Sequence, residues 1–134
     1  MRATIAVITG LAAWLVVATV LNFVLRFGMS GYLDAELLMK FSLPMMIGRL
    51  GVGAFASIGA GIACALVLGK AADARRRRKW ALVVGLVLLL VFIPEHAYVW
   101  TAFPLWYHAF FLVTLVPFVL AGNAFAGSPA APRD

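Results

Sequence analysis

Of 134 residues, 65% are hydrophobic and 12% are charged, and the mean hydropathy is +1.05. A water-soluble domain of this length cannot hide that much apolar surface, so lipid must serve as the solvent. The net charge of +6 is concentrated in one segment, and the single cysteine, Cys64, excludes an intramolecular disulfide or a cysteine-based zinc site within one chain.

A hydrocarbon core of roughly 30 Å takes about 20 residues of helix, and only helices or closed barrels can satisfy their backbones there. The apolar runs are too long for barrel strands, so the expectation is an all-α integral membrane protein, a four-helix transmembrane bundle. The first run covers residues 3–25, "ATIAVITGLAAWLVVATVLNFVL". A cleaved leader is the competing reading for it, but leader cores are shorter, about 7 to 15 residues, and no clean A-x-A site follows. The connection after it, residues 26–42, carries Arg26, Asp34, Glu36 and Lys40. In that connection Leu33, Leu37, Leu38 and Phe41 recur at helical spacing with Glu36 and Lys40 on the other side, which predicts a short helix lying in the interface.

The second span is placed at 44–68, with Pro44 suited to its first turn, where a missing N–H costs nothing. The third is placed at 80–100 and contains Pro94, which frees the Leu90 carbonyl and is expected to kink the helix or open a turn just before Glu95 and His96. The fourth is placed at 104–125, opened by Pro104 and bent at Pro117. Residues 1–125 make one membrane domain, and 126–134, small and polar with two prolines, are expected to be a disordered cytoplasmic tail.

Orientation follows from the segment "KAADARRRRK" between the second and third spans. Lys70, Arg75, Arg76, Arg77, Arg78 and Lys79 against Asp73 place +5 of the +6 in ten residues. By the positive-inside rule this loop and both termini are cytoplasmic, in the inner membrane if the chain is bacterial. The six cations are then placed to touch anionic lipid. Nucleic acid is not expected as a partner, because no aromatic residues interleave with the arginines to stack on bases.

In the second span Gly53, Ser57 and Gly61 recur every four residues, beside a second small row of Ala56, Ala60 and Cys64. Such rows let helix backbones approach closely in lipid, and this one is expected to pack within the chain or, as the alternative, to form a homo-oligomer face.

Depth counting at about 1.5 Å per residue puts Asn22, Arg49, Glu95 and His108, one from each span, in the same outer layer. Ionisable residues in membrane spans are rare and usually face the bundle interior in pairs. Arg49 and Glu95 are the expected ion pair, with Asn22 and His108 completing a polar latch. Separate snorkelling of the two charges and a ligand, proton or metal site are the alternatives. Glu95, His96 and His108 form the candidate metal set, which converges only if the turn at Pro94 opens, since neighbours on a helix point about 100° apart. Tyr98, Trp100, Trp106 and Tyr107 are expected as an outer aromatic belt, with Trp80 marking the inner boundary and Trp14 on a packing surface in mid-span.

No G-x-S-x-G, H-E-x-x-H or phosphate-binding glycine loop is present. The sequence therefore favours a non-enzymatic structural or accessory protein, with no cofactor expected, that packs against itself or a larger membrane complex. One alternative is a small oligomeric transporter using Glu95 and His108 as a proton or cation site. Another is a metal- or haem-binding redox subunit.

Overall fold

The structure is a computed structural model that describes residues 1–69 and 72–127. Among the described residues it is all helical, with five helices in chain order: α1 (Arg2–Gly28), α2 (Tyr32–Leu38), α3 (Leu43–Leu68), α4 (Ala74–Tyr98) and α5 (Leu105–Gly127). All except α2 are long and apolar enough to cross a membrane, as in a multi-pass membrane protein. Lys70 and the tail beyond 127 lie outside the described residues, while residues 126 and 127, assigned to the tail on sequence, complete α5.

The central helix is α3, which packs against α1, α4 and α5. Its buried side is almost free of bulk: Gly53, Ala56, Ser57, Ala60, Gly61 and Cys64. A Cβ built on Gly61 falls onto the Val119 carbonyl of α5, and one built on Gly122 falls onto the Ile58 carbonyl of α3. The two backbones therefore touch directly, and only residues without a side chain fit at the crossing. Higher up the same face, a Cβ on Gly53 would lie 2.6 Å from the Phe111 ring. Around this seam, small and branched side chains close the core, among them Ala6 of α1, Ala81 and Val84 of α4, and Leu115 and Val119 of α5.

Local chemistry sets the helix ends. Pro44 sits in the first turn of α3 as expected. The start of α4 comes earlier than the start of the apolar run at Trp80 suggests, because Asp73 caps it by accepting from the Arg76 backbone N–H at 2.7 Å. The arginine run is thus the first turn of a helix rather than a loop, and the third span ends at Tyr98 rather than at 100. Arg77 turns back to donate to the Ala72 carbonyl at 2.8 Å and the Gly127 carbonyl at 3.4 Å, tying the start of α4 to the end of α5. Carbonyls left over at a helix end take such a cation well.

The short helix expected in the first long connection forms as α2, bracketed by two residues in left-handed conformation, Gly31 at φ 73° and Met39 at φ 51°. Of the apolar residues expected to share one stripe, Phe41 lies beyond the helix. Tyr32 and Ala35 face the bundle and are buried, while Leu33, Leu37 and Leu38 are exposed. Because Met39 ends the helix, Lys40, expected on the same polar side as Glu36, lies beyond it. Glu36 instead meets Arg26 of α1 through two contacts, Nε to Oε2 at 2.8 Å and Nη2 to Oε1 at 3.0 Å. Both side chains are substantially exposed, so Glu36→Gln is expected to lower the thermal midpoint slightly, with the difference shrinking as salt is added. Melting curves of the two proteins at low and high ionic strength check this.

Candidate functional site

The end of the bundle that carries α2 also collects the polar residues singled out by depth, but their pairing follows helix azimuth rather than charge. Arg49 stands six residues into α3, about 9 Å from its start at the helical rise. Its Nη1 donates to the Tyr32 hydroxyl at 3.1 Å. Its guanidinium lies 4.7 Å from the Phe41 ring centroid and 5.7 Å from that of Phe103. Phe41 and Phe103 stack on each other at 5.2 Å, and Phe103 stacks on Tyr107 at 4.4 Å. One cation is therefore held by aromatic residues from α2, from the segment joining α2 to α3 and from the segment joining α4 to α5, an arrangement in which ring quadrupoles offset part of its desolvation.

Glu95 is not in this cluster. It is exposed, and among the described residues the one ion pair is Arg26–Glu36, so the expected Arg49–Glu95 couple does not form. The cause is that α4 continues through Pro94 to Tyr98 without an opened turn. Successive residues keep their step of about 100°, so with His96 turned inward Glu95 must turn outward. The same geometry removes the metal triad, and among the described residues no group of three histidine, cysteine or acidic side chains converges. Pro94 is itself exposed.

The two histidines do meet. Nδ1 of His96 lies 2.8 Å from Nδ1 of His108, and His108 Nε2 lies 3.3 Å from the Trp100 carbonyl. Both rings are buried, His108 almost completely. A carbonyl only accepts, so His108 carries its proton on Nε2 and, when neutral, presents a lone pair at Nδ1. His96 must then donate from Nδ1, which gives a directed chain from His96 through His108 to the Trp100 carbonyl. Trp100 closes the site by stacking on His108 at 4.8 Å.

Two aromatics depart from the roles the sequence suggested. Tyr107, expected in the outer belt, is buried, whereas Tyr98, Trp100 and Trp106 are exposed. Trp14, expected only to pack, donates its indole N–H to Ser57 Oγ at 3.1 Å, and Ser57 donates on to the Gly53 carbonyl at 2.7 Å. Asn22 stays within its own helix, donating to the Ala18 carbonyl at 3.0 Å.

Beneath the aromatic cluster lies a cleft of about 240 Å³. Asn22, Arg49 and Tyr107 form its polar wall, and Trp14, Phe92 and Phe111 its apolar floor. Arg49 Nε is buried with no hydrogen-bond partner among the described residues.

No family model, curated protein or solved structure matches this chain.

Proposed function

We propose that this chain is a small accessory protein of the cytoplasmic membrane, without catalysis of its own, in which the polar layer at the α2 end acts as a latch. The observation that carries this reading is the position of Arg49, gripped by Tyr32, Phe41 and Phe103 from three separate segments. Each of those segments is short or irregular and would be loose without it. Asn22 and His108 belong to the same layer, and the His96–His108 pair fastens the α4–α5 end as Arg49 fastens α2.

In this reading the arginine-rich start of α4 faces the cytoplasm, where exposed Arg75, Arg76, Arg78 and Lys79 meet anionic lipid. The α2 helix lies in the opposite interface, its exposed Leu33, Leu37 and Leu38 dipping into the acyl boundary. The latch takes precedence over proton or cation exchange between Glu95 and His108 because one side chain is exposed and the other buried. The proposed partner is a second copy or a larger membrane complex, met through the exposed lipid-facing surfaces.

A double-mutant cycle tests the latch. Arg49→Gln is expected to cost about 2 to 3 kcal/mol, combining a charge-assisted hydrogen bond with partly desolvated cation–π contacts. Tyr32→Phe should cost less, and the two should couple by about 1 kcal/mol or more, as contacting residues do. Reversible unfolding in mild detergent supplies the numbers. An Arg49→Leu protein as stable as the parent would show that the charge holds nothing together and would end this reading.

A further inference from the structure

The Arg49 side chain has two sides, and the latch accounts for only one. Nη1 is occupied by Tyr32 and the guanidinium lies beside Phe41 and Phe103, while Nε is buried with no hydrogen-bond partner among the described residues and the side chain lines the cleft. A buried N–H without an acceptor costs about 1 to 3 kcal/mol, more where the group is charged. The charge itself is also unbalanced. Glu36 is committed to Arg26, Glu95 is exposed, and Asp34 is an exposed residue of α2. A cation facing a space with no carboxylate of its own calls for an anion brought from outside.

The remainder of the cleft says what that anion is attached to. Below the polar wall, its surfaces are Trp14 with Ala18 of α1, Val52 of α3, Phe92 of α4 and Phe111 of α5, all apolar. Trp14 packs on Phe92 at 4.7 Å and Phe92 on Phe111 at 5.1 Å, so the floor is a continuous aromatic surface. The mouth opens beside Leu15 and Thr19, both exposed residues on α1. These positions lie in the middle of a helix long and apolar enough to span the membrane. An opening there faces acyl chains rather than water, and a water-soluble ion would have no path to it.

We propose that this cleft binds a single-chain amphiphile drawn laterally from the bilayer, its oxyanion head, a carboxylate or phosphate, seated on the Arg49 guanidinium beside Asn22 and Tyr107, its chain leaving past Leu15. The guanidinium is suited to this because its fork presents parallel N–H donors to two oxygens of one oxyacid. The small volume fits one chain and not the two of an ordinary phospholipid. This goes beyond the latch and is separable from it, since the mouth residues play no part in gripping α2.

Trp14 in the floor provides the readout. The purified protein in a nonionic detergent is titrated with stearate brominated along its chain, and tryptophan fluorescence is followed. Saturable quenching is expected, and it should vanish in Trp14→Phe, because the other three tryptophans lie outside the cleft. The brominated methyl ester, which lacks the charge, should bind about tenfold more weakly or worse, as should the acid in Arg49→Gln. Thr19→Phe, which narrows the mouth and leaves the aromatic cluster untouched, should abolish quenching without moving the melting curve, so the proposal stays testable if Arg49→Gln does not fold. Equal quenching by acid and ester, or quenching that survives both Trp14→Phe and Thr19→Phe, would overturn the proposal. Displacement of the brominated acid by millimolar inorganic phosphate or acetate would overturn the lipid source, leaving a site for a small free anion. Loss of binding in Thr19→Phe with stability unchanged would establish the cleft even if Arg49 proved dispensable to the fold.

Discussion

Alanine in place of Gly61 or Gly122 is expected to destabilise the bundle more than any other single methyl added to this chain. At both positions the new Cβ meets not a side chain that can swing away but the backbone carbonyl of the facing helix, Val119 for Gly61 and Ile58 for Gly122. Relief requires α3 and α5 to separate over their whole crossing, which strips contacts from Cys64, Leu115 and Val119 as well. Overpacking a core costs about 1 to 3 kcal/mol when side chains can adjust, so a loss of about 3 kcal/mol or more is expected here. Because either substitution forces the same separation, the double variant should cost clearly less than the sum. Gly51→Ala is the control: nothing lies within 4 Å of its Cβ, and the better helix propensity should leave stability equal or slightly higher. Unfolding in mild detergent, followed by circular dichroism, measures all four proteins. Were the Gly53, Ser57, Gly61 row an oligomer face instead, Gly61→Ala would change the sedimentation of the particle and leave each chain folded.

That seam was legible in the sequence as a spacing of small residues, because close approach in lipid leaves few alternatives to glycine, alanine and serine. The four long helices were legible for a similar reason, since a run of about 20 apolar residues has one stable form in a bilayer. Their ends were less so. The apolar run begins only at Trp80, after the basic residues, whereas the start of α4 is fixed by one hydrogen bond from Arg76 to the Asp73 carboxylate. A capping aspartate ahead of a charged run is a signal that an apolar count passes over.

The candidate site divides along a physical line between depth and azimuth. Axial position follows from the fixed helical rise, so Asn22, Arg49 and His108 could be assigned to one layer from their numbers. Rotation about each axis is set by packing, and packing is what a single sequence leaves unstated. Glu95 therefore stood at the right depth and on the wrong side, while His96, its neighbour, took the inward position. The partners of Arg49 were missed because charge was sought opposite charge. Tyr32, Phe41 and Phe103 sit in connections where rings read as interfacial belt, and only the fold brings them over one guanidinium. Trp14 carried a faint signal, an indole N–H in mid-span needing an acceptor that neither lipid nor its own helix supplies, and Ser57, whose hydroxyl donates within α3, keeps a lone pair to accept it.

The second large effect is expected at the histidine pair. His108→Leu removes the acceptor for the His96 Nδ1 proton and the donor to the Trp100 carbonyl together, at a site where His108 is 1% exposed. Stranding a buried polar atom costs about 1 to 3 kcal/mol, so a loss of about 2 to 4 kcal/mol is expected once the Trp100 stacking is counted. His96→Leu strands only His108 Nδ1 and keeps both the Trp100 hydrogen bond and the stack, so it should cost less. The double leucine variant separates packing from polarity. If the rings are held by their hydrogen bond, removing both ends eliminates the stranded ring nitrogen and leaves only the Trp100 carbonyl without its donor, so the double variant should be more stable than His108→Leu alone. If the rings matter only as shapes filling the space between Phe111 and Trp100, the losses will add.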